Sequence, residues 1–224
     1  MMDRIFNMDN KFFTFMGRVA DLILLNIIFL LSCIPIVTIG ASITAMYYVT
    51  LKMARNEDSY IFRSFVKSFK QNFKQSTIIW LILLAVGALL FVDFNIMEQA
   101  GSEGVFKAVY LGLYLLLLLF GMVFAYIFPL LSRFDNTVKN TFLNALKMAI
   151  AHFPYTVLIL AITYVPMFLT LNYGVVLVYG AFVWIAAGFA VTSFLNAKIF
   201  TKIFARYIPA PEEVNDLDWR LDEN

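Results

Sequence analysis

Apolar residues run through this chain in long blocks, and polar positions gather in short stretches between them. Four blocks carry no charged residue: 22–51, 75–92, 108–132 and 148–197, the last interrupted only by His152. A helix needs about 20 apolar residues to cross a hydrocarbon layer about 30 Å thick, so each block holds at least one membrane span. As a single helix, 148–197 would reach about 75 Å at about 1.5 Å per residue, so it has to turn. Leu171-Asn172-Tyr173-Gly174 supplies the turn chemistry, which predicts spans over 151–171 and 174–197.

The first block decides the count. A helix from Gly17 to Leu51 would measure about 52 Å, more than tilting readily absorbs. Pro35 has no backbone N–H and turns Ile34 away from the helical region, and Gly40 tolerates unusual backbone angles. A turn near 35–39 predicts spans over 16–34 and 38–54, joined by 76–96 and 105–131 to make six. The competing count is five, with one proline-kinked helix in place of the first pair.

Charge placement favours six. With six spans the N-terminus, loop 55–75, loop 132–150 and the tail share one side, together holding 16 of the 17 Lys and Arg residues. With five, Arg4, Lys11 and Arg18 cross over and the split becomes 13 to 4. Basic residues collect on the cytoplasmic side, so the expected arrangement is a multi-pass protein of the cytoplasmic membrane with both termini inside. The N-terminal MMDRIFNMDNKFFTFMGR mixes acids with bases and lacks a small-residue cleavage site, so it reads as mature protein.

Composition agrees with this class and excludes others. The chain is 62% hydrophobic and 14% charged, against about 25% charge for a soluble domain. A net charge of +2 leaves no footprint for nucleic acid. One cysteine, Cys33, excludes an intramolecular disulfide and a cysteine zinc site.

The linkers have a character of their own. Over 61–75, Phe62, Phe65, Phe69 and Phe73 recur at helical spacing, flanked by Arg63, Lys67, Lys70 and Lys74. Such a helix either lies in the membrane interface, caps the bundle or docks a partner. The second linker, 137–153, repeats the theme, and a slide of 77 residues matches Phe65 with Phe142, Lys70 with Lys147 and Phe73 with Ile150. A parallel repeat of span–linker–span units would produce such matches. The expected domain is thus an all-α bundle over 1–208, with two amphipathic cytoplasmic linker helices, followed by a tail over 209–224. Pro209 and Pro211 stop the last helix, and six acids against Arg220 keep that tail in water.

No catalytic constellation emerges, and no cofactor is implied. His152 has no second histidine or acidic companion in a recognisable motif and reads as an interface residue. Arg18 and Asp21, three apart, form an expected interfacial pair. Asn26 lies at mid-depth in the first span, where an amide needs a partner. Thr38, Ser42 and Thr44, across the Pro35–Gly40 hairpin, are the candidates, and Gly40 and Ala41 would let a helix approach closely. Gly180, Ala187 and Gly188 do the same in the last span.

The order NIIFLLSCIPIVTIGASITAMYYVTLKM (26–53), then SYIFRSFVKSFKQNFKQSTIIWL (59–81), resembles the YesL family of bacterial membrane proteins. FPLLSRFDNTVKNTFLNALKMAIAHFP (128–154) is similar to the same family. The resemblance implies a helical membrane protein without an assigned activity. It also implies a role near carbohydrate uptake, since such proteins are often encoded beside sugar transporters. Linker 137–150 resembles the coupling helix of an ABC importer permease in position, but lacks its acidic start and central glycine. The expected function is a non-catalytic accessory or interaction subunit linked to an ABC-type sugar importer, with a small-solute transporter or channel as the alternative.

Overall fold

The computed structural model describes residues 11–57, 60–100 and 105–208, and every regular element among them is helical. The order is α1 (Lys11–Ser32), α2 (Ile39–Ala54), α3 (Ile61–Ala100), α4 (Val105–Arg133), α5 (Val138–Ala151), α6 (Phe153–Asn172), α7 (Gly174–Val183) and α8 (Phe189–Phe204). One turn of π-helix, Trp184–Gly188, joins α7 to α8. Six segments are long and apolar enough to cross a membrane: 13–32, 36–54, 61–98, 107–133, 153–172 and 176–204. This is a polytopic helical bundle. The tail read over 209–224, the first ten residues and 101–104 lie outside the described residues.

The opening block is broken, which settles the count at six. Helix α1 ends at Ser32, a three-residue 3₁₀ turn covers Ile36–Thr38, and α2 starts at Ile39. Pro35 sits in the extended region just before that turn, at φ −76° and ψ 121°. The Thr38 hydroxyl closes the tip by reaching Ser32 O at 2.6 Å and Pro35 O at 2.7 Å. Gly40 is not part of the turn; it is buried one residue inside α2. At the other end of the hairpin, Asn56 takes the left-handed region (φ 55°), where a helix commonly terminates. There Arg18 donates to Asn56 Oδ1 at 2.6 Å and not to Asp21, so the expected Arg18–Asp21 pair is replaced by a link between α1 and the end of α2. The hydrogen bond from Arg55 also holds the Glu57 carboxyl below its usual range.

The first linker is not a separate helix. Residues 61–75 run unbroken into the third span, making α3 a helix of 40 residues, about 60 Å long. Nothing at Gln75-Ser76 stops it, since neither proline nor glycine is present. The second linker does stop. Thr137 caps α5, accepting from Asn140 N, and His152 (φ −115°, ψ 41°) separates it from α6, with Pro154 in the first turn. The matched units of the 77-residue slide therefore differ at their junction: continuous at 75–76, broken at 152–153. The turn expected at 171–174 is present as a single extended residue, Tyr173.

The core lies where α2, α3, α4, α5 and α8 meet, around Tyr126, Phe128, Phe200, Phe204, Ile79 and Leu51. A second cluster joins Leu25, Val49, Phe65 and Ala190. The hairpin tip lies outside both. Ile34, Ile36 and Val37 are 74%, 65% and 49% exposed, and an apolar surface of that kind belongs against lipid. A cysteine at position 36, in a Cys33→Ser background, is therefore expected to resist lipid-soluble and impermeant maleimides alike in intact cells, since the reacting thiolate does not form in hydrocarbon. Reaction with both would place the tip in water.

Candidate functional site

Asn26 is fully buried, and its partners are not those expected across the hairpin. Its Nδ2–H donates to Trp184 O at 3.0 Å and Ile185 O at 2.8 Å, while Ala190 N donates to its Oδ1 at 3.1 Å. The amide thus clasps the π turn of the last span. In that turn i→i+5 pairing replaces i→i+4, and a carbonyl loses its usual donor. In hydrocarbon such a group needs another partner. Thr38, Ser42 and Thr44 spend their hydroxyls locally, on Ser32 and Pro35, on Thr38, and on Gly40 O respectively.

Gly40 does what its small size suggested, against α3. A Cβ there would lie 2.6 Å from both Ser76 O and Trp80 Cβ. Trp80 then donates from Nε1 to Ile36 O at 2.8 Å, tying the tip to the same helix. Gly188 leaves room for the Trp184 ring, since a Cβ would meet Trp184 Cε3 at 2.6 Å. Gly180 similarly admits Thr170, whose hydroxyl oxygen accepts from Trp184 Nε1 at 3.1 Å.

These contacts build part of the wall of a partly open chamber of about 320 Å³ between the helices. Phe29 of α1, Tyr47 of α2, Trp80 of α3 and Phe128 of α4 form part of it. Thr163, Tyr164 and Met167 of α6, Trp184, and Thr192 and Ser193 of α8 also line it. No charged residue lines it. Just behind it Asn196, fully buried, donates from Nδ2 to Thr163 Oγ1 at 2.8 Å and reaches the Tyr47 hydroxyl at 3.5 Å. Its Oδ1 has no hydrogen-bond partner among the described residues. Sequence reasoning missed this chamber, because aromatic residues at helical spacing read as ordinary core. A second amide within the spans, Asn196, was the available signal, but the predicted end at 197 placed it at a boundary; the helix runs on to Phe204.

The linker residues divide. Phe65 is buried and Phe69 half-buried, whereas Phe62 and Phe73 are 63% and 40% exposed, so the four rings do not form one outward stripe. The buried side of this part of α3 is Ile61, Ser64, Phe65 and Ser68. Arg63, Lys67, Lys70 and Lys74 are exposed and form no ion pair among the described residues. His152 is buried at the α5–α6 corner, its ring 5.7 Å from that of Tyr207.

Fold and site together define a multi-pass helical membrane protein with an apolar inner chamber. Residues 22–94 match the family described as "Protein of unknown function, DUF624". Over 115 residues the chain is 30% identical to the "Uncharacterized protein YesL" of Bacillus subtilis strain 168, covering 50% of this chain and 55% of that protein. The chain thus matches about half the length of this curated relative. Both findings support the YesL-family resemblance, and the motifs at 26–53 and 59–81 fall inside the matched stretch. No solved structure matches the chain.

Two substitutions test the geometry. Asn26→Leu strands buried backbone groups, each worth about 1–3 kcal/mol, and removes bonds that average about 0.6 kcal/mol inside membranes. A loss of about 2 kcal/mol, at about 2–4 °C per kcal/mol for a chain of this size, is expected as a fall of several degrees in detergent melting. An unchanged melting point would show that the π turn stands without the amide. Gly40→Val overpacks a contact made partly by backbone, which typically costs about 1–3 kcal/mol. Lower yield in membranes and a lower melting point are expected; wild-type values would mean that α2 and α3 can separate freely.

Proposed function

We propose that the chain is a non-catalytic accessory or interaction subunit of the bacterial cytoplasmic membrane, docking a partner through the start of α3. The observation that carries this reading is the row Arg63, Lys67, Lys70 and Lys74, exposed and without ion pairs among the described residues, beside exposed Phe62 and Phe73. Beyond their share in orienting the chain, four neighbouring like charges make no ion pair within the described fold and repel one another. They suit an acidic surface, and exposed rings beside such charges are the usual anchors of an interface. Support for the partner's class comes from the YesL-like resemblance, which points to carbohydrate uptake and hence to an ABC-type sugar importer. A cytoplasmic C-terminus belongs to the same reading. It follows from the basic split and places the row on the side where an importer's ATPase sits.

A second reading, a small-solute transporter or channel, draws on the inner chamber. Solute flux into liposomes containing the purified chain would favour it.

The test combines mild-detergent copurification with charge reversal of all four bases. The wild-type chain is expected to recover an importer permease or ATPase, and the reversed chain, at equal membrane level, to lose about 90% or more of it, a change of about 1.4 kcal/mol. Equal recovery by both would remove the basic row from the interface. A wild-type chain that purifies alone, with a row that only binds anionic vesicles, would replace the partner with the lipid surface.

A further inference from the structure

A lipid-facing cleft lies between α4 and α6, with a volume of about 620 Å³. Leu117, Leu118, Gly121, Ala161 and Val165 help form it. Leu117, Leu118 and Val165 are 44%, 49% and 51% exposed, and since both helices are membrane-spanning segments, the cleft opens to the bilayer. Tyr164 lines this cleft and the inner chamber alike. Its hydroxyl donates weakly to Gly121 O at 3.5 Å, across to α4, and Gly121 carries no side chain to stand in its way. Tyr164 thus stands between the cleft on the lipid side and the chamber.

We infer that the chamber is a binding site for an uncharged single-chain amphiphile bearing a hydroxyl, which enters from the bilayer past Tyr164. Each part of that description has a source in the walls. Neither cavity has a charged lining residue, so an ionised headgroup would be desolvated without a partner. Aromatic and aliphatic side chains dominate both, which suits a hydrocarbon body. The chamber is near the lower end of the range for ligand pockets, about 300–1,000 Å³, which suits one chain and not two. Hydroxyls of Tyr47, Thr163, Thr192 and Ser193 stand on the wall, with Asn196 behind Tyr47 and Thr163. Asn196 keeps a buried acceptor, Oδ1, without a donor, and buried acceptors are seldom left so. That atom lies behind the wall, so a hydroxyl inside the chamber would meet the Tyr47, Thr163, Thr192 and Ser193 hydroxyls instead. The inference rests on α4, α6 and the π turn and uses no part of the basic row, so it stands or falls separately from the docking reading.

The test uses the full chain in phosphatidylcholine liposomes with hexadecanol carrying a mid-chain diazirine, illuminated and mapped by peptide mass spectrometry. Label is expected to saturate on peptides holding Tyr164, Met167 and Trp184, at about tenfold or more the level on lipid-facing Leu111 and Phe182, a ratio equivalent to about 1.4 kcal/mol. Unlabelled hexadecanol should compete; hexadecanoate and hexadecyltrimethylammonium should not. Ala161→Trp, which fills the exposed cleft, should cut chamber labelling by about fivefold or more, while Ala161→Ser labels as wild type. Even label over Leu111, Phe182, Tyr164 and Trp184 would overturn the site. Equal competition by the charged chains would overturn the ligand class. Unchanged labelling in Ala161→Trp, or a matching fall in Ala161→Ser, would overturn entry through the cleft.

Discussion

Hydrocarbon offers no water to a backbone N–H or C=O, so each irregularity in a membrane helix has to find its own partner. In this protein that constraint is met at one demanding place, the π turn at Trp184–Gly188, by one side chain. The Asn26 amide is suited to the task because it offers two donors and an acceptor in a single plane, and the turn uses all three. Hydroxyls accompany the smaller irregularities. Each of Pro35, Pro129 and Pro166 has a Ser or Thr three or four residues on whose hydroxyl donates to the proline's own carbonyl: Thr38, Ser132 and Thr170. A proline deprives the carbonyl four residues before it of a donor; these hydroxyls do not reach that group but add a local bond to the proline's own carbonyl, without calling on a second helix.

Between helices the same economy operates with small residues and polar pairs. Apolar contact alone gives little drive to associate in lipid, because the tails are as apolar as leucine. Close packing therefore depends on residues such as Ala41, Ala45, Ala145, Ala149, Ala190 and Ala197, all without exposed surface. Register is set by directed bonds: Thr50 with Ser193 at 2.9 Å between α2 and α8, and Tyr126 with Thr156 at 2.7 Å between α4 and α6. Those pairs fix the sides of the chamber without placing a charge near it.

Much of the fold was legible in the sequence where a residue has a strong local effect. Pro35 and Tyr173-Gly174 lie where the helices break, and the uncharged blocks match the spanning segments. The errors came where partners are distant or where a boundary has no local cause. Asn26 was recognisable as a polar group in need of partners, but they lie more than 150 positions along the chain, in a π turn with no propensity signature. Residues 61–75 were read as a separate linker because charge stops at Lys74. Charge marks a change of solvent and not an end of helix, and without proline or glycine α3 continues. The four phenylalanines were read as one helical face, yet Phe65 is buried with the serines at 64 and 68 while Phe62 and Phe73 are exposed. A short hydroxyl side chain packs against a neighbour as well as an aromatic one does, so ring spacing alone could not choose the face.

The clasp and the chamber are one structure. Trp184 gives its carbonyl to Asn26 and its indole N–H to Thr170, and its ring packs against Phe189 with centroids 5.0 Å apart. That ring also lines the chamber, where Gly188 makes room for it. The π turn therefore fixes more than the path of the last span; it aims an aromatic side chain inward at the point where α1, α6 and α8 approach one another. An uninterrupted α-helix over 174–204 would need no clasp. It would also rotate each residue beyond the bulge by about 100° relative to those before it, carrying Ser193 and Asn196 off the faces that now meet Thr50 and Thr163. The position of Ser193 on the chamber wall and of Asn196 behind it thus depends on the extra residue that the turn inserts.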